Sequence, residues 1–151
     1  MGRTEYLNDA SAPKPNSLVP AAGVLATDGV GRILLQRRRD TGQWAIPMGK
    51  QEMGETPSQC AIRETLEETG VLTEITGLLG VYSDPGHIVA YSDGEVRQEY
   101  EVILTGRPLS GEPTVNDEAS DVRAGRPRQP GHPSNAVEAT PRLARRHRPA
   151  H

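Results

Sequence analysis

Residues 49–71 read GKQEMGETPSQCAIRETLEETGV, and the signals that decide the fold are concentrated in this stretch. Thr56 is followed by a proline, and Gln59 comes three positions after the threonine, which is the capping-box pattern with proline at the first helical position. Gly70 stands where a left-handed residue commonly ends a helix. The stretch therefore predicts a helix over residues 57–69 with both ends defined.

The predicted helix places three carboxylates on one face. Successive helical residues turn by about 100°, so Glu64, Glu67 and Glu68 share an arc of roughly the same width. The residues expected to face the core lie opposite and are Ile62, Thr65, Leu66 and Thr69. Like charges four positions apart destabilise an isolated helix, so their clustering indicates a bound cation. The alternative is a solvated acidic face paired by Arg63.

The chemistry of these donors narrows the choice of cation. Carboxylate oxygens, without a set of thiolates or clustered histidines, favour Mg²⁺ or Mn²⁺ over zinc. The loop just before the helix, residues 47–55, contains two glycines and Lys50. Glycine allows a backbone to approach phosphate or metal closely. A loop of this kind leading into a carboxylate helix is suited to metal-assisted attack on a diphosphate.

Gly49, Glu55 and the run over residues 63–71 together resemble the Nudix box of the Nudix hydrolases. Every fixed polar and glycine position of that motif is matched over residues 49–71. Two positions depart from the usual pattern, because the family commonly has an aliphatic residue at Thr65 and a glycine at Met48. The neighbouring strands are also similar to the family, so the resemblance covers about residues 18–122.

The resemblance implies hydrolysis of a nucleoside diphosphate linked to another moiety, by attack of water at phosphorus with Mg²⁺ or Mn²⁺ as cofactor. ADP-ribose-like compounds and modified nucleoside triphosphates are the substrate candidates. The metal ligands carried over by position are the carboxylates of Glu64, Glu67 and Glu68 and the backbone carbonyl of Met48. Arg63 would orient the glutamates through a salt bridge, and Glu55 would help to hold the loop on the helix.

Further residues are candidates for contacts with substrate or for general-base catalysis. Lys50 and the run Arg37, Arg38 and Arg39 are candidates for binding phosphate, with a solvated strand end as the alternative for the arginines. The general base varies within the family, between a box glutamate and an acid on the loop after the last hairpin. Here that loop contains Glu118, whose alternative role is that of a surface acid. His87 is a lesser candidate.

Apolar patterning predicts strands around the helix. Residues 18–27 and 32–37 are predicted to form a hairpin, and residues 44–46 a short strand. Strands are also expected near residues 71–82 and in a hairpin that joins His87–Tyr91 to residues 96–105 through an Asp-Gly turn. The expected fold is α/β, a Nudix-type mixed β-sheet flanked by α-helices in an α/β/α sandwich, with the C-terminal helix open to question.

Composition divides the 151 residues into three parts. Residues 1–17 contain a single Leu, Ile or Val and are predicted to be a mobile or draped arm. Residues 18–122 hold most of the large aliphatic side chains and form the predicted Nudix domain. Residues 123–151 are rich in Arg, Pro, Ala and Gly, with seven basic side chains and one acidic. A basic disordered tail and the product of a frameshift in a GC-rich gene both explain this last segment.

The C-terminal segment bears on the integrity of the domain. Nudix domains generally have a further helix there, but residues 123–151 contain only Val137 and Leu143 as large aliphatics and offer no amphipathic helix. A partly uncovered sheet face would follow, which would make the chain less stable or favour a homodimer that hides it. An impaired, C-terminally altered variant is therefore one of the functional alternatives.

Several protein classes are excluded or disfavoured. No stretch approaches the roughly 20 apolar residues of a membrane helix, and the N-terminus lacks the apolar region of a signal peptide. The single Cys60 excludes an internal disulfide and a thiolate zinc site. A soluble cytoplasmic protein is expected, and the acidic domain disfavours binding of nucleic acid and leaves a small nucleotide as partner. A Nudix-like binding module without turnover is the main alternative to an enzyme, although the complete set of glutamates favours catalysis.

Overall fold

The computed structural model describes residues 2–117 and 119–125, and within them it contains nine strands and one helix. The helix is α1 (Pro57–Thr69). The strands are, in chain order, β1 (Arg3–Leu7), β2 (Ser17–Ala26), β3 (Ile33–Arg38), β4 (Trp44–Ala45), β5 (Met48–Lys50), β6 (Leu72–Tyr82), β7 (His87–Tyr91), β8 (Val96–Ser110) and β9 (Ala119–Gly125). The predictions about the C-terminal helix and about the tail beyond residue 125 lie outside the described residues. The described helical segment is too short and too polar to cross a membrane.

The strands form two sheets. The larger has six strands in the order β1-β7-β8-β2-β5, with β6 paired to β8. Strands β2 and β8 run parallel over ten residues, whereas the other pairs are antiparallel, so the sheet is mixed as predicted. The smaller sheet is antiparallel, in the order β4-β3-β9. The Nudix-type mixed sheet is therefore confirmed, and α1 is its one flanking helix within the described part of the chain.

The predicted ends of α1 are confirmed. The hydroxyl of Thr56 accepts a hydrogen bond from the backbone N–H of Gln59 at 3.1 Å, and the Gln59 side chain accepts one from the N–H of Thr56 at 2.9 Å. Gly70 adopts φ 76° and donates its N–H to the carbonyl of Leu66, which closes the last turn. These caps place the start of the helix directly after the glycine-containing loop.

The predicted hairpin of residues 18–27 and 32–37 is wrong. Its two strands correspond to β2 and β3, which lie in different sheets, and one isolated bridge between Thr27 and Ile33 joins this part of the chain. The turn itself forms, because the N–H of Asp28 donates to the carbonyl of Arg32 at 3.0 Å. Strand β2 is flanked by β8 and β5 on its two edges, so no edge remains for β3.

Three further strands depart from the prediction. The supposed N-terminal arm contains β1, which pairs with β7 at the edge of the large sheet. The supposed loop of residues 47–55 begins with β5, which pairs with β2. Strand β9 extends past residue 122 and forms one edge of the small sheet. Each of these strands is short or polar and is stabilised by a partner that lies far away in the sequence.

One hydrophobic core joins the helix to both sheets. Its buried residues include Ala22 and Val24 of β2, Leu34 of β3, Cys60 and Ala61 of α1, Leu104 of β8 and Val122 of β9. Thr65 and Thr69 are buried as predicted, but Leu66 is 45% exposed and Glu68 only 5%. The face of α1 that is buried thus lies closer to the carboxylates than the sequence predicted. The small side chains of Cys60 and Ala61 on this face allow close contact with β2.

The opposite face of the large sheet carries a half-buried acid, Glu101. Side chains alternate along a strand, and since Val102 packs on the helix side, Glu101 and Glu99 project from the other side. Burial, with the charge of Glu99 in support, raises the pKa of Glu101 to about 7. On the same face His87 contacts Glu5 at 2.5 Å, which raises the pKa of the imidazole.

We predict that Glu101→Gln makes the stability less dependent on pH. Above pH 4.5 and up to about 7, the native protein keeps a proton on Glu101 that the unfolded chain releases, so the free energy of unfolding falls as the pH rises. Each unit of difference in pKa corresponds to about 1.4 kcal/mol. Urea unfolding at pH 5, 6, 7 and 8 should therefore show the variant gaining stability relative to wild type toward pH 8.

Glu112→Gln on an exposed loop is the control for the change in net charge. His87 contributes in the same direction as Glu101, since its raised pKa gives stability that is lost as the pH rises above its ordinary value. A pH dependence that is identical in wild type and Glu101→Gln would contradict the assignment to Glu101.

Candidate active site

At the candidate site, strands β2 and β5 and helix α1 pack closely against one another, and glycines at the contacts allow this close approach. Gly23 on β2 lies opposite Met48 on β5, and a Cβ atom at Gly23 would be 2.7 Å from the Pro47 carbonyl oxygen. A Cβ at Gly49 would lie 2.6 Å from Oε1 of Glu64. The backbone of Gly49 is therefore in direct contact with the carboxylate of Glu64, and any residue with a Cβ atom at this position would clash with it.

Arg63 is the centre of the charge network. Its guanidinium binds both carboxylate oxygens of Glu55, one of them at 3.0 Å, and donates to the backbone carbonyl of Lys50 at 3.1 Å. It also donates to Glu64 Oε1 at 2.8 Å and to Glu67 Oε2 at 3.2 Å. The hydrogen bonds from Arg63 lower the pKa of Glu55 to about 2 and raise the pKa of the arginine. The ion pair of Arg63 with Glu55 thus joins the loop to the helix.

Glu68 lies deepest in the site, at 5% exposure. Its Oε2 accepts a hydrogen bond from the backbone N–H of Met48 at 3.2 Å and another from the side-chain amide of Gln36. The amide of Asn116 donates to the backbone carbonyl of Glu68 at 2.5 Å. Two sheets and a loop therefore hold this one residue in place.

Glu64 is the second protected carboxylate, with 14% of its side chain exposed. Burial raises the pKa of Glu64, while its hydrogen bond to Arg63 opposes the rise and the charge of Glu67 supports it. Glu64 lies against the backbone of Gly49, and Glu68 accepts a hydrogen bond from the N–H of the adjacent Met48. Two neighbouring carboxylates in a half-buried place form a set of hard oxygen donors, which fits a divalent cation such as Mg²⁺ or Mn²⁺.

The third predicted ligand is placed differently. Glu67 is 59% exposed, and the guanidinium of Arg63 links it to Glu64. Within residues 2–117 and 119–125, no three acidic, histidine or cysteine side chains converge into a cage for a metal ion. The structure thus brings Glu64 and Glu68 together with the backbone of Met48 and Gly49, and leaves Glu67 at the solvent edge.

The loop that leads toward Glu118 is attached to the C-terminal end of α1. The N–H of Thr114 donates to the carbonyl of Thr69 at 2.8 Å, and Asn116 Nδ2 lies 3.3 Å from the carbonyl of Glu67. Glu118 itself lies outside the described residues, so its role as general base stays a prediction. The contribution of Asn116 was missed from the sequence, where nothing distinguishes it from other loop asparagines.

The predicted phosphate-binding residues occupy two different settings. Lys50 is exposed at the end of β5, and Arg39 donates to the backbone carbonyl of Asn116 at 2.9 Å, close to the end of α1. Arg37 donates to the carbonyl of Gly42 at 3.0 Å, and Arg38 forms an ion pair with Asp40 at 2.6 Å. Lys50 and Arg39 adjoin the carboxylate helix, whereas Arg37 and Arg38 hold the turn after β3.

Cys60 and Trp44 both lie in well-defined environments. Cys60 is fully buried, and its Sγ is 3.5 Å from the carbonyl oxygen of Gly49. Burial raises the pKa of this thiol to about 11, with the charge of Glu55 in support. Trp44 packs against the buried side chains of β3, with the guanidinium of Arg123 over its ring at 4.5 Å.

Comparison with known proteins identifies the family. A sequence-family model described as NUDIX domain matches residues 17–146, which is most of the chain. Together with the mixed sheet, the capped helix and the arginine–glutamate network, this match shows that the chain belongs to the Nudix hydrolase family. The division into an arm of residues 1–17, a domain of residues 18–122 and a tail stays a prediction.

The curated relatives match about half of this chain. It is 41% identical over 76 residues to a MutT-like protein from Streptomyces ambofaciens, covering 50% of this chain and 48% of the relative. It is 38% identical over 78 residues to an ADP-ribose pyrophosphatase from Methanocaldococcus jannaschii, covering 44% of this chain and 46% of that protein. The chain thus spans about half the length of these relatives.

Solved structures extend the similarity over the whole fold. A MutT protein from Methanosarcina mazei Go1 aligns with a TM-score of 0.63 at 18% identity, covering 92% of this chain and 100% of that chain. A MutT NUDIX hydrolase from Burkholderia pseudomallei aligns with a TM-score of 0.61 at 26% identity, covering 82% and 98%. The first of these shows the fold alone.

We predict that Gly23→Ala loosens the stack that supports the site. The added methyl would meet Met48 Cβ at 2.6 Å and the Pro47 carbonyl at 2.7 Å, and a backbone atom cannot move aside as a side-chain end can. Overpacking of this kind costs about 1–3 kcal/mol of unfolding free energy. Gly29→Ala is the matched control, because a methyl there meets nothing within 4 Å. Equal stability of the two variants in urea unfolding would refute the close approach of β2 and β5.

Proposed function

We propose that this protein is a Mg²⁺- or Mn²⁺-dependent hydrolase that cleaves the diphosphate linkage of nucleoside diphosphate derivatives. ADP-ribose-like compounds and modified nucleoside triphosphates are the proposed substrates. The observation that carries the proposal is that the protected carboxylates of Glu64 and Glu68 both lie against the backbone of β5, Glu64 at Gly49 and Glu68 at Met48. An ADP-ribose pyrophosphatase and a putative 8-oxo-dGTP diphosphatase from Bacillus subtilis (strain 168) are among the relatives, and their names support this class of substrate.

The ion would be held by the carboxylates of Glu64, Glu67 and Glu68 and by the backbone carbonyl of Met48. When bound, it neutralises the diphosphate and activates water for attack at phosphorus. Arg63 orients two of the carboxylates from one guanidinium, because its Nη1 contacts both Glu64 and Glu67. Glu67, being exposed, is the ligand with most freedom to turn toward the ion.

The substrate contacts follow from the positions of the cationic side chains. Lys50 stands on the loop side of α1 and Arg39 beside its C-terminal end, so both adjoin the carboxylate helix and are proposed to bind the phosphates. Glu118 is proposed to accept the proton of the attacking water. The proposed partner is a small nucleotide, and a homodimer and a cytoplasmic location stay predictions.

A nucleotide panel tests the proposal. The full-length protein is incubated with ADP-ribose, diadenosine polyphosphates, nucleoside triphosphates and 8-oxo-dGTP in Mg²⁺ or Mn²⁺, and mononucleotide and phosphate products are measured by chromatography. We expect metal-dependent cleavage of the diphosphate bond in at least one compound, with loss of turnover in EDTA. Nucleotide binding without any product would instead favour the non-catalytic module, and neither binding nor turnover would favour an impaired variant.

We predict that Glu67→Gln abolishes most turnover while leaving the fold intact. Amide replacement removes one carboxylate donor, and the side chain is 59% exposed, so the unfolding free energy should change by less than about 1 kcal/mol. Glu52→Gln is the matched control, since this glutamate is 67% exposed and also lies near Arg63, at 3.9 Å. Near-normal activity of Glu67→Gln would reject the assignment of Glu67 as a metal ligand.

A further inference from the structure

A buried glutamine on the small sheet has no role in the function proposed so far. Gln36 is 2% exposed and follows Ile33, Leu34 and Leu35 on β3, all of them buried. A polar side chain in such a position loses its hydration and requires partners inside the protein. Its Nε2 finds one, because it donates to Oε2 of Glu68. Its Oε1 has no hydrogen-bond partner among the described residues.

The orientation of the Gln36 amide follows from its neighbour. An ionised carboxylate only accepts hydrogen bonds, so the amide must present its nitrogen to Glu68. Among the described residues the amide oxygen then has no donor, at a cost in free energy that an apolar residue at this position would avoid. The residue is therefore not explained by stability alone, and the hydrogen bond that its side chain makes in the described part of the chain is to a candidate metal ligand.

The strand that carries Gln36 is suited to hold a donor in a fixed place. Strand β3 is the central strand of the small sheet, and Gln36 is paired with Ala45 on β4 and with Val122 on β9. The same oxygen also accepts a hydrogen bond from the N–H of Met48 on β5 of the large sheet. The carboxylate of Glu68 is thus held from both sheets by groups on paired strands.

We propose that Gln36 is a positioning residue of the candidate metal site, which fixes the carboxylate of Glu68 in the orientation that binds the divalent ion. This inference rests on the proposed function. Gln36 acts through Glu68 and takes no part in contacts with the nucleotide. Partners that orient a metal ligand in this way typically contribute about 10- to 100-fold to metal affinity or activity.

The decisive variant is Gln36→Met, which keeps the length of the side chain and removes its amide. Mn²⁺ binding to the full-length protein without nucleotide is measured by calorimetry or by electron paramagnetic resonance. We expect Mn²⁺ affinity to fall by about 10- to 100-fold. In turnover assays the variant should need correspondingly more Mn²⁺, while kcat recovers at saturating Mn²⁺ and KM for the nucleotide stays within about twofold of wild type, as expected for a residue without substrate contact.

Thr73→Val is the matched control. Thr73 is also 2% exposed, and its hydroxyl has no hydrogen bond among the described residues, so it does not hold Glu68 by one. Removing this buried polar atom should leave Mn²⁺ affinity unchanged. Thermal unfolding without metal shows whether each variant is folded under the conditions of the binding assay.

Gln36→Asn keeps the test decisive if Gln36→Met does not fold. It retains the amide but is one methylene shorter, so its nitrogen is withdrawn from Glu68, and Mn²⁺ affinity should again fall. Wild-type affinity in either folded Gln36 variant would overturn the inference, as would an equal loss in Thr73→Val. If the wild type binds no Mn²⁺, the proposed function fails and the inference with it. If the wild type binds Mn²⁺ and hydrolyses nucleotides while both Gln36 variants match it, only the inference fails.

Discussion

Two neighbouring carboxylates, Glu64 and Glu68, in a protected place are the constraint on which the rest of the structure depends. Taking a charge out of water costs several kcal/mol unless partners compensate for the lost hydration, and Glu64 and Glu68 are 14% and 5% exposed. The helix supplies the guanidinium of Arg63, β5 the N–H of Met48, and β3 the amide of Gln36. Because these donors come from the helix and from both sheets, the site is also the junction that joins them.

The junction is possible because the groups that meet there are small. Gly23 and Gly49 bring two strands and a carboxylate to separations that a methyl group would block. On the helix, Cys60 and Ala61 face the core with no exposed surface. Larger side chains at these positions would move α1 away from β2 and admit water to the carboxylates. The same small residues therefore allow the close packing of α1 on β2 and keep water away from the carboxylates.

Local sequence signals correctly predicted those elements that are stabilised by contacts between residues near one another in the sequence. The capping box and Gly70 located α1, and an Asp-Gly pair located the turn between β7 and β8. The errors involve distant partners, since β2 pairs with β8 rather than β3, and the polar strand β9 completes a sheet that no local pattern indicated. Within the site, helical spacing grouped the glutamates, but Gln36 and Asn116 contact Glu68 across 32 and 48 positions. No spacing rule connects such residues.

Thr65 and Met48 depart from the Nudix box pattern at positions whose side chains make no contact that the candidate site requires. Thr65 is fully buried, and its hydroxyl donates to the carbonyl of Ala61 at 2.7 Å, so the polar atom is satisfied within the helix and the methyl packs as an aliphatic group would. Met48 contributes its backbone N–H to Glu68, which is independent of the side chain. A glycine there would supply the same N–H from a weaker strand. Both departures thus leave the donors of the candidate site in place.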